Sequence, residues 1–202
     1  MRTQQIITAI LIAIGAAVAI YGATRPDVGL LKFKVKDNIA YGYGGTDDRS
    51  VAAVKKLMKE HPYVDTLVFK KMPGTKDADS NLKLARDIRR RGLNTHIESN
   101  SVIASGAVDL FLAGKRRTME CGALIGVHSW SISGARSTIR ISPKDIGVDR
   151  RQKLHEKFLT DMGINPDFYA FTRAAAEPEK IHYMSMDEIR RFNLLTEYPD
   201  CS

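Results

Sequence analysis

Short apolar or alternating segments that take turns with amphipathic ones predict an α/β domain. The expected architecture is a mainly parallel sheet with right-handed crossovers, preceded by an N-terminal apolar helix. Three observations carry this expectation. Leu31, Phe33 and Val35 alternate with Lys32, Lys34 and Lys36, the period of a half-buried strand. Apolar runs at 66–69 and 124–128 are short enough to be buried strands. The stretches between them repeat apolar residues at helical spacing and carry capping residues at their ends.

Taken in order, Asp37-Asn38 turns the first strand into a second at 39–43, which Gly44-Gly45 breaks. Asp47 or Asp48 can cap a helix with Val51, Val54, Leu57 and Met58 on one face, stopped by His61-Pro62. A strand at 66–69 leads into the turn Met72-Pro73-Gly74-Thr75. The next helix starts near Ser80, turns Leu82, Ala85 and Ile88 inward and ends at Gly92. A strand at 95–97 precedes a loop of small polar residues. A helix then runs from about Ser105 to Ala113, with Gly114 as its C-terminal cap. Strands follow at 118–120 and 124–128, and 131–141 is irregular. Ser142-Pro143 opens a long helix to Met162, Asn165-Pro166 opens another to about Ala176, and Ser185-Met-Asp-Glu188 reads as a capping box.

The 202 residues, 27% charged and 44% hydrophobic, suit one folded domain over 26–202. Residues 6–23 are different in kind: 18 positions without a charge, about 27 Å long as a helix. They are expected to be a signal peptide within 1–25 or, as the favoured reading, an uncleaved anchor that holds the domain outside the cytoplasm. Cys121 and Cys201 are either one disulfide or two separate thiols. Neither has a Cys or His neighbour at zinc-ligand spacing, so no metal or cofactor is expected. The net charge of +8 is concentrated in Lys32/Lys34/Lys36, Arg86/Arg89/Arg90/Arg91 and Lys115-Arg116-Arg117. These runs read as solvated faces, suited if anything to an anionic membrane surface; no aromatic interleaving supports nucleic acid.

Ser105 opens a helix, where unpaired N–H groups and the helix dipole favour negative charge. Its hydroxyl is therefore placed beside donors for an oxyanion, although a plain N-cap is the simpler local reading. His128 ends an apolar strand, a position from which an imidazole can act as general base.

Leu84 to Thr95, Ala104 to Arg117 and Gly126 to Trp130 together resemble a family of predicted periplasmic proteins related to the Clp protease proteolytic subunit, within the wider Clp-protease/crotonase-like group. The resemblance spans about 39–195 and is most specific over 92–128. It implies Ser105 as nucleophile and His128 as base. Counting back from Met184-Ser185, it implies Glu177 as the triad acid, with Glu179 and Asp167 as competitors. The oxyanion hole would use the backbone N–H groups of Gly74 (with Thr75) and Gly106. Two departures stand out: the turn at Gly74 has one glycine where two are usual, and Asp109 occupies an ordinarily apolar position. Asp109, if buried, needs a partner such as an arginine.

The implied activity is an exported or membrane-anchored serine hydrolase, a peptidase acting on peptide, ester or amide bonds. The alternatives are a non-catalytic binding or assembly module on the same fold, or a crotonase-like acyl-thioester enzyme. Related membrane-bound peptidases use a Ser-Lys dyad, but Lys70, Lys71 and Lys76 read as solvated. Relatives assemble into rings through the helix after the histidine. Here Ile146, Leu154, Phe158 and Leu159 suit either a homo-oligomer contact or the domain's own sheet.

Overall fold

The computed structural model describes residues 31–133, 138–140 and 150–201. The apolar stretch 6–23, Ile146 and the start of the expected long helix lie outside them. Alternation makes β1 (Lys32–Lys36) an edge strand with its lysines in solvent, paired antiparallel to β2 (Ile39–Tyr43) across the Asp37-Asn38 turn. Four parallel pairings follow, of β2 with β3 (Thr66–Met72), of β3 with β4 (Asn94–Ala104), and of β4 with both β5 (Arg117–Met119) and β6 (Leu124–Val127). The sheet is thus mainly parallel, as expected. β9 (His182–Tyr183) closes it antiparallel to β6, giving the order β1-β2-β3-β4-β6-β9 with β5 also on β4.

β4 differs from its expected form. The polar residues after Ile97 are no loop but the middle of one strand of 11 residues. Its first half takes β5 and its second half takes β6, so one strand serves two partners in tandem. Between the halves Ser99 and Asn100 are exposed, Asn100 has φ 59, and the register with β3 shifts. Period-two hydrophobicity is lost there because that stretch faces water. Within the stretch expected to be irregular, β7 (Ser131–Ser133) and β8 (Thr138–Arg140) form an antiparallel pair.

The helices are α1 (Ser50–Glu60), α2 (Ala78–Arg90), α3 (Gly106–Leu112), α4 (Arg150–Asp161), α5 (Asp167–Ala175) and α6 (Met186–Arg191). Asp77 caps α2 by accepting from the Ser80 N–H at 3.0 Å, so the helix starts two residues before Ser80. α6 carries the expected capping box. Gly114 follows α3 for a reason other than a left-handed cap. A Cβ there would come within 2.1 Å of Thr95 Oγ1, so the glycine lets the helix end lie against β4. Among the described residues no helix is long and apolar enough to cross a membrane.

The core lies between the sheet and the helices. Leu67, Phe69, Ile97, Ile103 and Ile125 meet Leu84, Ile88, Leu110 and Phe111, all nearly inaccessible to solvent. Phe158 and Leu159 of α4 pack into the same core, whereas Leu154 is exposed. Arg117, expected in a solvated run, is buried instead. Its Nε donates to Leu194 O at 2.7 Å, and its backbone exchanges bonds with Thr196. Burial, foremost, lowers its pKa, and backbone carbonyls replace the lost water.

These contacts hold the C-terminal segment along the β5 edge, and a Cys121–Cys201 disulfide pins its end. The bridge spans 80 positions, so its loss restores much unfolded-state entropy, worth about 2–4 kcal/mol. Cys201→Ser is expected to lower unfolding stability by that amount in urea titrations of the full chain. An unchanged midpoint would show that the bridge constrains nothing.

Candidate active site

β4 ends at Ala104 and α3 begins at Gly106, and Ser105 makes the corner between them. The Ser105 N–H donates to Gly126 O at 3.0 Å, and Ser105 O accepts from the Val108 N–H at 2.9 Å. Held at both ends, Ser105 adopts φ 54 and ψ −132. That conformation is costly for a residue with a Cβ, about 1–3 kcal/mol, and survives only where the surroundings over-determine it. Ser105 does occupy the N-cap position of α3, but its side chain makes no capping bond. Its hydroxyl is left for another use.

Two glycines press against this corner. Gly74 has φ +128, and a Cβ on it would be 3.2 Å from Ser105 Oγ and 2.8 Å from Ser105 Cβ. A Cβ on Gly106 would meet Thr75 Cγ2 at 2.4 Å. The single glycine of the 73–75 turn is thus the one that touches the serine. Neither the Gly74 nor the Gly106 N–H has a backbone acceptor among the described residues, as donors awaiting an oxyanion require.

The turn is fastened by a buried network that the sequence reading did not find. Thr46 N–H donates to Gly74 O at 2.9 Å, and Lys76 N–H donates to Thr46 O at 2.9 Å. Thr46 Oγ1 donates to Asn81 Oδ1 at 2.8 Å, and Asn81 Nδ2 donates to Gly106 O at 2.8 Å. Asn81 is 1% exposed. It precedes Leu84, Ala85 and Ile88 on the inward stripe of α2, so a polar residue at helical spacing among apolar ones was the available signal.

His128 follows the end of β6 and lines the same cavity of about 440 Å³ as Ser105 and Gly106. The partners of His128 among the described residues are backbone groups, and none is Ser105, a looseness common before substrate arrives. Burial is the main cause that lowers the His128 pKa, and backbone groups of Pro178 and Ser129 oppose it. Nδ1 is buried without a hydrogen-bond partner among the described residues. Burial thus favours the uncharged imidazole, the form that accepts a proton.

Glu177 does not join this group. It is exposed and outside the cavity lining. Its segment nevertheless runs beside His128, since the Ser129 N–H donates to Ala176 O at 2.8 Å. The backbone of 176–178 addresses the histidine while the carboxylate stays in water. Glu179 and Asp167 are also exposed. Asp109 lines the cavity, and its partners are Asn81 and His155 rather than an arginine. Lys70 pairs with Glu98 on the sheet, away from the cavity lining, while Lys76 is exposed at the cavity. Among the described residues no cluster of three or more His, Cys, Asp or Glu is placed to hold a metal.

No family model and no curated protein matches the chain. Solved structures do match it. A mutant of the 1510-N membrane-bound stomatin-specific protease aligns with a TM-score of 0.56 and 13% identity, over 84% of this chain and 82% of that one. ClpP1 from Listeria monocytogenes aligns at 0.52 and 10% identity, over 80% and 91%. An enoyl-CoA hydratase/isomerase family member aligns at 0.53 and 13% identity, over 85% and 70%. These alignments give the chain the Clp-protease/crotonase-like fold, an architecture shared by proteases and enoyl-CoA hydratase/isomerase family members.

Proposed function

We propose that this chain is a serine hydrolase of the peptidase type, anchored outside the cytoplasm by residues 6–23. One observation carries the reading. Ser105 is held in a strained corner between two glycine backbones, with its hydroxyl uncommitted and a neutral histidine in the same cavity. Ser105 Oγ attacks the substrate carbonyl carbon as His128 takes its proton, and the Gly74 and Gly106 N–H groups hold the tetrahedral oxyanion. The leaving amine departs with the proton from His128, and water, losing its proton to His128, then attacks the acyl-enzyme; the acid leaves as His128 returns that proton to Ser105 Oγ. The disulfide supports an oxidising compartment.

A crotonase-like acyl-thioester enzyme would use the same oxyanion hole. It gives no account of the strained serine or the histidine, so the hydrolase reading is preferred. The 1510-N structures include one in complex with a substrate peptide, which supports peptide as the substrate class.

A fluorophosphonate probe is expected to label the full chain, and Ser105→Ala is expected to abolish labelling. Equal labelling of both proteins, or of neither, would sink the proposal. The labelling rate should depend on neutral His128. Because burial lowers that pKa below its ordinary 6.5, reactivity should persist on acidification past pH 6.5 and reach half its plateau only below it. A half-point at or above 6.5 would contradict the buried base. Glu177→Gln should change the rate by less than about threefold, whereas loss of a working triad acid lowers it by about 10⁴.

A further inference from the structure

Beyond Ser105 and His128, the cavity lining holds a second polar pair. Asp109 lies on α3 one turn past Ser105, and His155 faces it from α4, with Nε2 3.9 Å from Asp109 Oδ2. Their side chains are only 19% and 14% exposed. His155 is fixed on its other sides. Its ring stacks on Tyr169 at 4.6 Å, and Tyr169 Oη accepts from Trp130 Nε1 at 2.8 Å. Nδ1 lies 3.0 Å from Arg151 O, and a carbonyl can only accept, so Nδ1 carries the hydrogen.

In neutral His155 the remaining nitrogen is then an acceptor. Nε2 and Asp109 Oδ2 are two acceptors facing one another, too far apart for a direct hydrogen bond and unfavourable with nothing between. Asn81 gives the carboxylate one donor, at 3.2 Å. Burial, chiefly, raises the Asp109 pKa against the opposing pull of His155 and Asn81. The pair therefore requires either a proton or a donor supplied from the cavity.

Four other charged residues, Lys76, Asp77, Asp79 and Arg151, also line the cavity. Asp77 caps α2, Lys76 and Asp79 are exposed on the rim, and Arg151 is exposed with its guanidinium 4.9 Å from the centre of the Trp130 ring. His128 stands at the β6 end, and Val108, Leu159 and Phe168 supply apolar surface to the same cavity lining. A long side chain with an apolar stem and a cationic tip matches that combination of apolar and anionic lining.

We propose that Asp109 and His155 form a specificity subsite for a cationic side chain, lysine- or arginine-like, of the residue whose carbonyl is presented to Ser105. The assignment rests on the reading of Ser105 as nucleophile. The cation donates to Asp109 and His155 in place of the proton, so proton and substrate compete, and selectivity falls on acidification.

The test compares two diphenyl phosphonate probes, one with a 4-aminobutyl side chain and one with a butyl side chain, on the full chain. The amine is expected to label faster by about tenfold or more, the scale of a charge-assisted hydrogen bond. Asp109→Asn and His155→Gln should each bring the ratio to within about twofold of unity. The wild-type ratio should shrink as pH falls, a measurement that needs no variant. A wild-type ratio near one, a ratio retained in both variants, or a ratio flat with pH would overturn the subsite. If neither probe labels wild type, the nucleophile reading has failed, and binding still decides the subsite. Saturation-transfer NMR on Ser105→Ala should then favour N-acetyl-lysine amide over N-acetyl-norleucine amide, and equal signals would overturn the subsite.

Discussion

The buried amide of Asn81 is the constraint on which the site depends. Its oxygen accepts from Thr46, and its nitrogen donates to Gly106 O and to Asp109. Thr46 in turn fixes both ends of the Gly74 turn through its backbone. One side chain on α2 thereby ties together the extension of β2, the turn after β3 and the first residue of α3. A buried polar group stripped of its partner costs about 1–3 kcal/mol. That is the same scale as the backbone strain at Ser105, so the network is strong enough to hold the serine where unsupported sequence would relax it.

This arrangement follows from how the sheet is built. β4 is long because its two halves have different parallel neighbours, and only the second half, beside β6, ends at the site. Ser105 and His128 come together because β4 and β6 run parallel and finish at the same edge. The cavity is then closed by α4 and α5, whose Leu159 and Phe168 belong to the core as well as to the wall. Packing and site geometry are therefore coupled: a change that lets α4 move also moves His155 away from Asp109.

Much of the fold was legible because burial leaves a periodic mark. β1, β2, β3 and β6 lie close to where alternation and short apolar runs put them. β4 was read too short because its exposed middle carries no mark, and β9 was missed because two residues cannot show a period. Ser105 and His128 were found by resemblance, and the geometry explains why neither stood out alone. Ser105 reads as an ordinary cap until its dihedrals are known. Glu177 illustrates the opposite limit. Counting along the chain found the segment beside His128, but whether a carboxylate or a carbonyl faces the ring depends on local backbone direction, which spacing does not encode. His155 gives no signal in the sequence for a similar reason, since its partner Asp109 lies 46 positions away on another helix.

Burial acts in opposite senses on the two titratable centres of the cavity, and the difference separates their roles. It lowers the pKa of His128 and raises that of Asp109, favouring the uncharged form of each. For a base that is the working state, and nothing more is needed. For a carboxylate it is a deficit, because the neutral acid gives up the attraction that a buried anion could offer. Asn81 and His155 only partly offset that loss. A histidine kept neutral beside Ser105 and a carboxylate left short of donors one helical turn away give the cavity one end suited to chemistry and another suited to recognising charge.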